Sequence, residues 1–228
     1  MNSKYLKYAI GEIVLVVLGI LIALSINTWN ENRKENNLSK VYLDRIEQDL
    51  HQLINRSNAL SKQNKSILEA ITTTQTYLER GTPLSDEELK TVEYAMLWFP
   101  RTTYQLPHML TYEEMKESGN INLIYRQELR TELAEFYSYL AQVESIYIKL
   151  GQQVEDQFVI YNRYIRSTTD PTTLDITFEY DFDKMSRDDE FINTFSRLAI
   201  HWRGFVFFME GINQRGDYIM INYFTTEE

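Results

Sequence analysis

From Ala9 to Ile26 nearly every position is Ile, Leu, Val, Gly or Ala, a run of about 18 residues in which Glu12 is the sole charge. Tyr5 and Tyr8 stand before it and Trp29 after it, where aromatic side chains sit at the two interfaces of a bilayer. The pattern predicts a transmembrane helix over 9–29, a tail of residues 1–8 before it and a polar juxtamembrane segment over 30–37. That segment, Asn30 to Asn37, reads either as a hinge or as the wet start of a longer helix, since no glycine or proline interrupts it. A cleaved signal peptide competes, because Ala23 and Ser25 have the small-x-small spacing of a cleavage site. Its apolar region is usually shorter, so a retained anchor is expected.

Beyond the juxtamembrane segment the period changes. Ile46, Leu50, Leu53, Ser57, Leu60, Asn64, Ile67, Ile71, Thr74 and Leu78 alternate by fours and threes, the seam of a long amphipathic helix. Gly81 caps it, with Pro83 beyond. Ser85 and Glu88 form a capping box for the next helix. Pro100 and Pro107 bracket an irregular stretch, after which a short helix over 110–116 ends at Ser118 and Gly119. A second heptad pattern runs from Leu129 to Tyr164, with Gln157 as its polar seam residue. The two long segments are expected to pair antiparallel, side by side.

Residues 174–182 alternate apolar and polar, which predicts an extended strand. No second run of that quality is visible, so the strand is expected to lie along the bundle rather than to pair across subunits. Ser186 with Asp189 forms a further capping box before a last helix through Phe191, Leu198, Trp202 and Met209, which Gly211 and Gly216 are expected to kink or end. The fold class is mainly α: an N-terminal transmembrane helix plus an extracytoplasmic helical bundle, residues 38–228, with two long antiparallel helices and one extended strand.

Composition narrows the function classes. The chain has 228 residues, 43% hydrophobic and 25% charged, a folded balance rather than a disordered one. The absence of cysteine excludes disulfides, thiolate metal sites and thiol nucleophiles. A net charge of -10 repels phosphate backbones, so nucleic acid is not an expected partner. Lys4 and Lys7 on one side of the anchor face Arg33, Lys34, Lys40 and Arg45 on the other, and counting alone does not orient it. The short charged tail favours an N-terminus kept in the cytoplasm, because long domains cross largely regardless of their own charge. The domain would then face outward, into a periplasm.

Enzyme signatures are absent: there is no phosphate-cradling glycine loop, nucleophile elbow or His-Glu-x-x-His helix. His51, His108 and His201 are scattered, and no metal, cofactor or catalytic residue is assigned. The acidic run Asp188, Asp189, Glu190 suits the first turn of a helix better than a cation site. The abundant tyrosines read chiefly as seam residues with one wet edge. Trp98, Phe99, Tyr104 and His108, on the proline-bounded stretch, are the candidate ligand or partner loop.

Within the anchor, Glu12 lies about 10 Å along the helix from Tyr5 at ~1.5 Å per residue. It either snorkels or is protonated, or it meets a neighbouring helix. Gly19 and Ala23 form a small-xxx-small pair on nearly the same face, so Glu12, Gly19 and Ala23 are the candidate transmembrane contact. The lipid bilayer is one expected partner. The others are a second copy of the chain or a different membrane protein. The leading expectation is a non-enzymatic interaction or structural subunit, and the alternative is a ligand-sensing domain working through a partner membrane protein.

The segment Lys4 to Ile13, followed by Gly19-Ile20-Leu21-Ile22-Ala23-Leu24, Ile26-Asn27 and Trp29-Asn30-Glu31, resembles the N-terminal signature of a bacterial domain-of-unknown-function family of small single-pass membrane proteins. Thr111-Tyr112-Glu113-Glu114-Met115-Lys116, Ser118-Gly119-Asn120, Leu123-Ile124 and Leu129-Arg130 are similar to that family's internal helix-turn-helix signature. Together they cover about a quarter of the chain. The resemblance implies an inner-membrane protein with a periplasmic helical domain, and it carries no activity with it.

Overall fold

The computed structural model describes residues 3–82, 84–99 and 109–225. Its elements are α1 (Ser3–Arg80), α2 (Asp86–Trp98), α3 (Leu110–Glu117), a 3-10 turn (Asn120–Leu123), α4 (Gln127–Glu155), α5 (Phe158–Tyr164), β1 (Ile165–Thr169), β2 (Ile176–Tyr180), α6 (Phe182–Met185), α7 (Asp189–Ile219) and a closing π-turn (Met220–Phe224). The fold is mainly α. By contacts the chain divides into two compact units, Met1–Gln48 with Met109–Arg130 and Asp49–His108 with Thr131–Glu228.

The first unit carries the N-terminal part of α1. No glycine or proline lies between Gly19 and Gly81, so the apolar segment, residues 30–37 and the first heptad seam form one helix. Of the two readings of 30–37, the wet stretch of a longer helix is the observed one. The buried positions of this unit include Ser39, Tyr42 and Ile46 on α1 and Thr111, Tyr112, Met115, Ile124 and Leu129 on the returning segment. Gly119, at φ 74, ends the α3 turn as expected.

In the second unit, Gly81 adopts φ 67 and donates its amide to Tyr77 O at 3.1 Å, the expected stop for α1. The Ser85 capping box is present in both directions, Glu88 N to Ser85 Oγ at 3.4 Å and Ser85 N to Glu88 Oε2 at 2.8 Å. The long helices pair differently from the expectation. Ile54, Ser57 and Lys65 of α1 meet Gly216, Asn213 and Glu210 of α7 in falling order. Phe136, Tyr139, Tyr147 and Leu150 of α4 likewise meet Gly216, Gly211, Phe205 and Gly204. The antiparallel partner of both is therefore α7, and α1 and α4 run the same way.

The heptad expected to continue to Tyr164 is broken at Asp156 and Gln157, where Gln157 N bonds to Val154 O at 3.0 Å in a tighter turn. The predicted strand also has a partner in its own chain. β1 pairs antiparallel with β2, Ile165 opposite Tyr180 and Thr169 opposite Ile176. Arg166 faces Glu179 at 3.8 Å, and the Thr168 and Thr177 hydroxyls share a 2.9 Å hydrogen bond. Asp170 closes the hairpin by accepting the Thr172 and Thr173 amides at 2.7 and 3.0 Å.

Two further corrections concern α7. Its cap is Asp188, whose carboxylate accepts the amides of Glu190 and Phe191, because Ser186 already donates its hydroxyl to Asp183 O at the end of α6. Nor do its glycines break it. A Cβ on Gly211 would collide with the Tyr139 hydroxyl, and one on Gly216 would stand 2.8 Å from Ile54 Cγ1. Here glycine marks close helix approach rather than a stop.

Candidate functional site

α1 is long and apolar enough to cross a membrane: its most apolar window has a mean hydropathy of 2.1 and is 0% buried within the chain. Every side chain from Gly11 to Trp29 is exposed. At ~100° per residue, Glu12, Gly19 and Ala23 fall within roughly 40° of one another on this surface. A Cβ on Gly19 would meet nothing within 4 Å, so no packing contact among the described residues accounts for the small residue there. Ser25 satisfies its hydroxyl on Leu21 O at 2.8 Å, which suits an apolar surrounding. At the polar end the Arg33 guanidinium lies 5.5 Å from the centre of the Trp29 ring.

Further along α1, in the same unit, a polar clasp holds the α3 corner. Arg45 Nη2 donates to Glu114 Oε2 at 2.6 Å, and Tyr42 Oη to Glu114 Oε1 at 3.3 Å. Asn120 donates to Tyr42 Oη at 3.2 Å, and Ser39 Oγ to Leu123 O at 2.6 Å. The Arg45 hydrogen bond holds the Glu114 carboxyl below its usual range, against a smaller opposing effect of burial. The signature around Glu114, Ser118 and Asn120 is thus a fastening device. Sequence reading missed its α1 half, Ser39, Tyr42 and Arg45, whose only local sign was polarity beside an apolar seam.

The candidate loop divides. Tyr104 and His108 lie outside the described residues. Phe99 is 0% exposed, its ring 4.6 Å from Tyr161 and 5.5 Å from Phe195. Trp98 is half-exposed, 6.3 Å from Tyr94. Phe99 is therefore a core side chain, and Trp98 is the member of this pair that solvent reaches.

Between α4 and α7 in the second unit lies an open groove of 330 Å³, with Phe136 and Ile219 among its lining residues and Glu132, Glu135, Gln214, Arg215 and Tyr218 supplying the polar ones. Arg215 lies 4.5 Å above the Tyr139 ring and forms no ion pair with either glutamate. Deeper in the unit, Ser57 Oγ donates to Asn213 Oδ1, and Asn213 Nδ2 to Asn58 Oδ1 at 2.7 Å. The acidic run at α7 behaves as a cap: the Tyr164 hydroxyl donates to Asp188 and Arg163 pairs with Glu190 at 3.1 Å. Among the described residues no group of His, Asp and Glu is placed to hold a metal ion.

No curated protein and no solved structure matches the chain. Residues 12–157, however, match a described family, and the match takes in the candidate transmembrane face, the α1 half of the clasp and its signature half. The chain belongs to the family of unknown function DUF6090.

Proposed function

We propose that this protein is a non-enzymatic, membrane-anchored interaction or structural subunit that assembles through α1 and its helical domain. One observation carries the reading: the apolar surface from Gly11 to Trp29 is left uncovered by the other described residues. Exposed apolar area of that extent demands lipid or protein around it. An ionisable Glu12 in line with Gly19 and Ala23 favours a second helix on that face, from another copy or a different membrane protein.

The proposed orientation places residues 1–8 in the cytoplasm and residues 38–228 in the periplasm, on the basis of the positive charges of Lys4 and Lys7 before the apolar span. A reporter fused after Glu228 that works only in the cytoplasm should be silent. Assembly is tested by energy transfer between full-length copies, and by co-purification of partners, from bilayers. Gly19→Leu should weaken association tenfold or more by blocking close approach, and Glu12→Gln should change it too. If neither variant alters association with itself or with a partner, the proposed contact face is wrong.

A ligand-sensing role is the second reading, favoured by the groove between α4 and α7, where two glutamates and Arg215 remain unpaired with one another. In this reading it would act through a partner membrane protein.

A further inference from the structure

We propose that the turn Ile124–Gln127 is a second membrane contact, which seats Tyr125 in the phospholipid headgroup layer of the membrane that α1 crosses. The inference rests on the transmembrane reading of α1 and adds to it a surface of the soluble part.

The first unit supplies the geometry. Contacts of the returning segment step down α1 toward Trp29: Glu114 meets Arg45, Asn120 meets Tyr42, and Leu123 meets Ser39. The chain then turns into α4, which begins at Gln127. The turn is thus the part of this segment nearest the apolar span. It is also well fixed. Ile124 is 1% exposed and donates its amide to Ile121 O at 3.2 Å, while Arg130 reaches back to Ile124 O at 3.5 Å.

Distances decide whether the turn reaches lipid. Ser39 lies ten residues past Trp29, about 15 Å at ~1.5 Å per residue. From Leu123 to Tyr125 the backbone can descend a further ~7 Å at ~3.3 Å per residue, and the ring extends beyond that. Headgroups occupy roughly 5–7 Å outside the hydrocarbon on each side. A ring from this turn can therefore reach the headgroup layer and stops short of the hydrocarbon. Tyr125 is 57% exposed, an apolar body with a polar tip, and such side chains favour that layer.

The chain lacks cysteine, so single cysteines can be introduced and labelled in the full-length protein. The variants Tyr125→Cys, Glu113→Cys and Ile20→Cys, each carrying a fluorophore, are placed in phosphatidylcholine–phosphatidylglycerol vesicles. These contain nitroxide quenchers in the headgroup or the acyl chain. Glu113 is an exposed control on the same unit, farther from Trp29. The label at 125 should be quenched by headgroup nitroxide at least threefold more than the label at 113, and the label at 20 by acyl-chain nitroxide. Equal quenching at 125 and 113, with Ile20→Cys quenched, overturns the second contact and leaves the anchor standing. An unquenched label at 20 overturns both. If Tyr125→Cys loses its helical spectrum, Arg126→Cys, also exposed and within the same turn, reads the same depth.

Discussion

The ring of Phe99 stands 4.6 Å from that of Tyr161, whose hydroxyl donates to Met96 O at 3.1 Å, so the end of α2 is fastened to α5 by packing and by a hydrogen bond together. Phe99→Ala should cost about 3–5 kcal/mol, because the hole it leaves is lined by Tyr161 and Phe195. Trp98→Ala should cost much less, its ring being half-exposed. Urea unfolding of the detergent-solubilised chain measures both. Equal losses at the two positions would contradict the assignment of Phe99 to the core and Trp98 to the surface.

Gly216 is a contact point, so Gly216→Val should destabilise by about 1–3 kcal/mol or more despite valine's better helix propensity. Ile54→Ala combined with it should recover part of the loss. A double-mutant cycle reads the coupling. Simple additivity would mean that the two helices do not meet there.

A pH effect is expected at the start of α2. The Arg80 hydrogen bond, helped by the Ser85 amide, lowers the Glu88 carboxyl from 4.5 to about 2. The folded state therefore holds this proton less tightly than the unfolded one. The stabilisation is present in full above pH 4.5 and disappears as pH falls toward 2. Thermal midpoints of the wild-type chain and Glu88→Gln should differ near pH 6 and converge at the acid end. A difference that persists unchanged to pH 2 would assign it to shape rather than charge.

His201 supplies a second, higher window. Burial pushes its imidazole below the ordinary 6.5, and its Nδ1 is buried with no hydrogen-bond partner among the described residues. The unfolded chain binds this proton more readily, so stability should rise with pH between the lowered folded value and 6.5. His201→Gln should remove that slope. Ring-proton resonances that titrate at or above 6.5 would refute the desolvation argument.

The local devices were legible in the sequence. Gly81, Gly119 and the Ser85–Glu88 box are decided by residues within a turn of one another, where propensity and capping chemistry act alone. What escaped depends on distant partners. β1 has a single buried apolar residue, Ile165, so its polar sequence shows no alternation until β2 pairs with it. Gly211 and Gly216 read as breakers because nothing nearby in the chain shows Tyr139 or Ile54 pressing against them. The partner of α1 was misassigned because three long helices carry apolar seams and periodicity does not choose among them. At the candidate face, Glu12, Gly19 and Ala23 follow from helical period alone. The Glu114 clasp needed Tyr42 and Arg45, whose polar atoms reach it across 72 and 69 positions of chain.

The contact of Ser57 with Asn213 settles an ambiguity that the apolar seams leave open. A seam that repeats every seven residues tolerates sliding by one repeat, since leucine replaces leucine. If α7 slid one repeat in one direction, Asn213 would lie against Leu50, and Met209 would press on Ile54 where Gly216 now lies. In the other direction Asn213 would find Asn64, but Tyr223 would occupy the glycine's place. Neither alternative accommodates both the amide and the close approach, so the pair acts as a vernier that permits one alignment of these helices and rejects its neighbours.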